Sequence, residues 1–297
     1  MSLLKEVWIN SIVEGLFADN SFLARSVDHS DFVDNKVVHV PNAGAPSNVK
    51  MDRATLPAEI KRRTDVDLSY DLHEFTTDPI LIDHAETVEL SYDKRNSVLA
   101  MDRANLHETV AEYILSQWMP TKAEAKLKVT TKVTASDIAQ LQRAFNKAKL
   151  PQLGRVVLLS ADSYSDLLES LTSNQSNAFL ACADASKGVV GSLYGFDFLE
   201  PRYALKGALG LAWHDKHVSR ALGDVKLFDN PDSATYYGSV LSFLLRAGGA
   251  KMRSDEVGVM SLVGSKGDSN TPKESSSTPK ESSSTPEKSS RDSQSGM

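Results

Sequence analysis

The sequence predicts an α+β fold, and three observations carry that reading. Amphipathic helical stretches are separated by runs of short strands. The segment after Pro151 mixes a buried strand, a short helix and a glycine-punctuated strand pair, and no regular strand-helix-strand series develops. With 297 residues, 41% hydrophobic and 24% charged, the chain can bury one large core or two modest ones.

Leu4, Trp8, Ile12 and Leu16 recur every four residues and predict an amphipathic helix of about four turns, ending near Asp19 and Asn20. Val37 to Val40 reads as a short strand stopped by Pro41. From Asn42 to Thr77 the chain is rich in charge and turn residues. Plain loops longer than about 12–15 residues are uncommon in compact domains, so this stretch predicts an extended two-stranded excursion that packs on something else. Val66, Leu68, Tyr70 and Leu72 alternate with polar residues, as one wall of a hairpin does.

Pro79 to Ile82 and Thr87 to Tyr92 read as two further strands. Asn105, with Glu108 three residues on, predicts the cap of a helix that turns Leu106, Val110, Tyr113, Ile114 and Trp118 to one face and stops at Pro120. A second helix starts at Thr134 or Ser136, carries Ile138, Leu141 and Phe145 inward and ends before Pro151. Arg155 to Ser160 then reads as a buried strand, Ser163 to Leu171 as a short helix, and Gly188 to Phe198 as a strand pair. Ser239 to Leu245 fits a helix or a buried strand, and Val257 to Val263 a closing strand.

Composition changes at Gly264. Thr271-Pro272-Lys273-Glu274-Ser275-Ser276-Ser277 recurs from Thr278 and, altered, from Thr285, with nothing apolar between Val263 and Met297. Such a stretch predicts a disordered tail, either without a partner or making a decoration or host-surface contact. The net charge of −6 argues against a dedicated nucleic-acid binder and leaves room for incidental DNA contact. A lone cysteine, Cys182, excludes an internal disulfide framework, fits a reducing cytoplasm and is expected to be a buried small hydrophobe. No apolar run reaches the roughly 20 residues that span a bilayer, so no membrane association is expected.

Residues with catalytic potential are few. His214 and His217, with Asp215 between them, are the one close histidine pair; two imidazoles three residues apart could share a metal, but no third ligand stands at a familiar spacing. The expected reading is surface histidines near a helix start. Gly188, Gly191 and Gly195 match neither a dinucleotide fingerprint nor a P-loop and are expected to permit tight turns. Lys61, Arg62 and Arg63 sit beside Asp65, Asp67 and Asp71, which suggests solvated charge or an intersubunit ion pair. Catalytic, cofactor-binding and metal residues are therefore all assigned as none.

The stretch from Leu150 through Gly154-Arg155 and Val156-Val157-Leu158-Leu159-Ser160, followed by Tyr164 and Leu167-Leu168, resembles a segment common in the major capsid proteins of tailed bacteriophages. Gly188 to Phe198, followed by Arg202, resembles a strand turn of the same family. Val37 to Asn42, Ile80 to Arg95, the helix from Asn105 to Trp118, Ala212-Trp213-His214 and Gly249 to Leu262 resemble further elements in the family's order.

The resemblance implies the Hong Kong 97-like capsid fold, with an N-terminal arm (1–43), an extended loop (44–80), a peripheral domain (81–150 with 246–263) and an axial domain (151–245), followed by the tail (264–297). It also implies a non-enzymatic major capsid protein that assembles in the host cytoplasm into pentamers and hexamers of an icosahedral virion shell. Scaffolding, portal and decoration proteins are the implied partners, with weak non-specific contact to packaged DNA. The family's long scaffolding segment is not seen before the arm, so a separate scaffolding protein is expected. Some relatives form a lysine-asparagine cross-link, but no motif here carries those positions over. Two alternatives remain: an encapsulin-type compartment shell with the same fold, and a metal-dependent hydrolase using His214, Asp215 and His217.

Overall fold

The computed structural model describes residues 18, 20–42, 49, 51–52, 66–83, 93–130, 132–233, 235 and 238–264. The expected helix over Leu4 to Leu16, most of the excursion with Lys61 to Arg63, the strand over Thr87 to Tyr92 and the tail lie outside these residues. The strands are β1 Val27–Asp28, β2 Val33–Asp34, β3 Val37–Asn42, β4 Val66–Asp71, β5 His73–Thr76, β6 Ile80–Asp83, β7 Lys126–Val129, β8 Arg155–Leu159, β9 Val189–Leu193, β10 Phe196–Leu199, β11 Gly210–His214, β12 Val218–Ser233, β13 Gly238–Lys251 and β14 Val259–Gly264. The helices are α1 Asp93–Trp118, α2 Ala135–Lys147, α3 Ala161–Ser170 and α4 Ser173–Leu180.

A six-stranded sheet runs β7-β14-β11-β8-β10-β9. Its centre, β8, pairs antiparallel with β11 and parallel with β10, and every residue of β8 and β11 is buried, as the apolar run from Val156 to Leu159 requires. One face of this sheet carries α2, α3 and α4, with Ile138, Leu141, Phe145, Leu167 and Phe179 packed on Val157, Leu159, Phe196, Phe198 and Ala212. The helix α2 starts as expected: the Thr134 N–H and hydroxyl both donate to the Asp137 carboxylate, at 2.9 and 2.7 Å. Thr134→Ala should cost about 1 kcal/mol of stability, read by urea unfolding.

A five-stranded sheet holds β1-β12-β13-β5, with β6 also on β13. The long β12-β13 hairpin turns Val225, Leu227, Leu241, Phe243 and Leu245 toward α1, which answers with Leu106, Val110 and Ile114. A third, three-stranded sheet, β2-β3-β4, pairs Val38 with Tyr70 and Val40 with Leu68, the hairpin wall expected from their alternation.

The structure departs from expectation in several places. Asn105 is no cap, because α1 begins twelve residues earlier at Asp93; Asn105 sits mid-helix, where the Thr109 hydroxyl donates to its carbonyl. Ser239 to Leu245 resolves as strand, since its alternate residues meet α1. Cys182 is exposed. Packing also draws no boundary at Pro151: α2 and β7 belong with β8, and 218–245 belongs with α1. The segment from Phe22 is no free arm either. Phe22 and Leu23 are buried, and β1 pairs with the start of β12.

Candidate functional site

Phe22 enters between the two large sheets. Its ring meets Tyr203 at 4.8 Å, Trp118 at 5.7 Å and Trp213 at 6.4 Å, all edge-on, the favoured geometry for aromatic quadrupoles. The indoles are fixed in turn, Trp213 Nε1 donating to Arg25 O and Trp118 Nε1 to Ser219 O, both at 2.9 Å. Arg220 donates to Leu23 O and pairs with Asp28 at 3.4 Å. Gly188, in the left-handed region at φ 66°, lets this segment lie close: an added Cβ would stand 2.2 Å from Asn20 O.

Glu256 forms a second junction. Its carboxylate accepts from Thr121 N at 3.1 Å, Thr121 Oγ1 at 2.7 Å and Lys122 N at 2.9 Å, and meets Lys251 Nζ at 2.9 Å. The end of α1, the end of β13 and the approach to β14 are thereby tied at one buried group. Burial alone would raise the carboxyl's pKa; the Lys122 N–H, the Lys251 ammonium and Thr121 outweigh it and hold the group at about 2. Sequence reading missed Glu256, because Thr121 and Lys122, which donate to it, stand more than a hundred residues away.

Arg155, expected only as part of a motif, is a buried guanidinium. It donates to Pro151 O at 2.8 Å, Leu150 O at 2.6 Å and Asn146 Oδ1 at 2.8 Å, between the rings of Phe145 and Phe196. It therefore holds the loop after α2 onto β8, and burial lowers its pKa.

His214 and His217 come together, with ring centroids 5.1 Å apart and edge to face, but not at a surface helix start. His214 closes β11 and is buried; Asp215 to His217 forms a single 3-10 turn. Asp215 Oδ1 stands 2.8 Å from His214 Nδ1, and an added Cβ at Gly154 would stand 2.5 Å from that carboxyl. Among the described residues no group of three or more metal-ligating side chains gathers. The arrangement acts as a packed corner.

Burial lowers the pKa of His214, His217 and His29, against the pull of Asp215 and Asp28. The unfolded chain then takes up protons below about 6.5 that the folded chain resists, so stability falls as pH drops from 6.5. Thermal melts should show a lower Tm at pH 5 than at pH 7.5. In a His214→Gln, His217→Gln variant that difference should shrink; an unchanged difference would place the effect elsewhere.

No protein-family model matches the sequence, and no curated protein matches it. The fold is similar to the capsid of Ralstonia phage GP4, with TM-score 0.63 and 9% identity over 83% of this chain and 87% of that one. It is similar to the mature capsid of bacteriophage PhiM1, with TM-score 0.59 and 11% identity over 83% and 87%. It is also similar to the capsid of cyanophage P-SCSP1u, with TM-score 0.57 and 14% identity over 81% and 86%. The chain has the Hong Kong 97-like capsid fold. The two junctions and the Arg155 loop hold the sheets and helices in place. Leu153, in the loop before β8, and Phe228, on β12, are exposed apolar side chains, 90% and 52% accessible. Among the described residues no helix is long and apolar enough to cross a membrane.

Proposed function

We propose that this chain is a non-enzymatic major capsid protein, assembling through many copies of itself into pentamers and hexamers of an icosahedral phage head. The observation that carries the reading is the likeness of more than four fifths of the chain to phage capsid structures. The six-stranded sheet with α2 to α4 serves as the axial domain, and α1 with the β12-β13 hairpin as the peripheral domain. Obligate interfaces of such shells bury more than about 2,000 Å² each, so association is spread over many contacts. The acidic balance of the chain suits a container that touches packaged DNA weakly. Scaffolding, portal and decoration proteins complete the assembly, which takes place in the host cytoplasm before the protein resides in the virion.

Negative-stain microscopy and light scattering of the purified full chain test this. Rings, tubes or shells are the expected result. A monomer that stays dispersed across a wide concentration range overturns the proposal.

A further inference from the structure

Among the described residues, two short links carry the chain directly from one large sheet to the other: Asp215–His217, from β11 to β12, and the stretch 252–258, from β13 to β14. They are packed on each other. The Met252 N–H donates to His217 O and the His214 N–H to Gly258 O, both at 2.9 Å. Gly258, in the left-handed region at φ 93°, lies against the His217 ring, where an added Cβ would stand 2.6 Å from Cγ. The Asp215 N–H donates to Gly154 O at 2.9 Å and brings in the loop before β8. The His214 and His217 rings stand where these segments meet, and His214 Nε2 and His217 Nδ1 are buried without a hydrogen-bond partner among the described residues.

This corner suits uncharged imidazoles. His214 Nδ1 accepts from the Lys216 N–H at 3.2 Å, so the neutral ring carries its hydrogen on Nε2. A second proton has to go onto Nδ1 and takes the lone pair that holds the Asp215–His217 turn. Burial opposes that charge, and so do Lys216 beside it and Arg155 opposite it on β8; Asp215, 2.8 Å from Nδ1, and the Leu153 carbonyl favour it. Around His217, burial, His214 and Arg253 oppose a proton, while Asp215 and Asp255 favour one. Glu256, in the same link, is turned to Thr121, Lys122 and Lys251, and β1 runs beside the turn with its Asp28 paired to Arg220. Two charged rings with centroids 5.1 Å apart also repel each other. Water reaching the corner removes the cost of burial, so opening and protonation favour each other. We propose that the His214–His217 corner is a proton-operated latch: mild acid releases both links together while the two sheets stay folded. The inference stands on this geometry and is independent of the capsid reading.

Hydrogen-deuterium exchange of the full-length chain at pH 7.5 and pH 5.5, read peptide by peptide and corrected for the intrinsic exchange rate at each pH, tests this. A histidine that stays neutral while the corner is closed and titrates near its ordinary 6.5 once it is open raises the opening equilibrium about tenfold at pH 5.5. Protection over 214–217 and 252–258 is therefore expected to fall about tenfold for one such histidine and about a hundredfold for two, while β8 and α2 keep theirs. An unchanged corner overturns the proposal. So does an equal loss in β8 and α2, which would mean that the histidines act on the whole fold. His217→Gln is expected to shrink the fall by about tenfold, and a His217→Gln chain that keeps the full response overturns the latch as well. Should that variant not fold, the contrast between the corner and β8 in the unsubstituted chain decides.

Discussion

Glu256→Ala should lower the stability of the folded chain by about 3–5 kcal/mol, because removing one partner of a buried ion pair leaves the other charge uncompensated. Three consequences add in the same direction. The Lys251 ammonium loses its carboxylate at 2.9 Å, the Thr121 and Lys122 N–H groups lose their acceptor, and the end of α1 is no longer tied to the approach to β14. Glu256 also holds a left-handed backbone at φ 59°, which alanine tolerates no better, so the backbone offers no relief. Glu256→Gln keeps the shape and part of the hydrogen bonding and should cost less than alanine. Urea unfolding of the three proteins orders them, and equal stability of Gln and wild type would show that the charge contributes nothing.

The same residue fixes a pH window. The folded carboxyl is held at about 2 and an ordinary glutamate lies near 4.5, so as the medium is acidified the unfolded chain binds the proton first. The stability Glu256 contributes is complete above 4.5 and is lost as pH falls toward 2. The buried histidines act in a separate range, beginning at 6.5, so a stability-pH curve should fall in two steps. Glu256→Gln should shrink the lower step, to which Asp28 and Asp255 also contribute, and leave the upper one.

Phe22→Ala should cost a comparable amount, about 3–5 kcal/mol, as expected for truncating a buried aromatic whose cavity cannot collapse. The ring is 2% exposed and touches Trp118, Tyr203 and Trp213; the two indoles are held by backbone hydrogen bonds and cannot easily close the gap. Phe22→Leu fills most of the volume and should recover more than half of the loss.

Much of this was legible along the chain. Thr134 with Asp137, the run Val156 to Leu159, the 3.6-residue stripe from Leu106 to Trp118 and the alternation from Leu68 to Leu72 each express a local rule, and each appears where the rule puts it. Three elements were not legible. The strand β12 mixes charge, glycine and isolated apolar residues from Val218 to Ser233, and it is a strand because β13 pairs with it across two bulges. The strand β7 reads as charged loop, yet β14 holds it parallel in register from Ser261 to Gly264. The helix α4 has polar residues throughout its first turns and is placed by Phe179 entering the core beside Phe198.

The histidine pair shows the same division at a single site. Sequence spacing put His214 and His217 within reach of each other, and they do meet. Whether they were exposed, paired with a third ligand or packed away was decided by β11, Gly154 and the turn before Val218, none of which spacing reveals. By itself, then, the sequence determined the class of fold, the order of its principal elements and the apolar faces they bury, because these follow from periodicity, capping and proline placement acting over a few residues. The tertiary structure alone decided which elements share a sheet and where the Glu256 and Phe22 junctions lie. Those depend on contacts between residues far apart in the chain, whose energies no local pattern records.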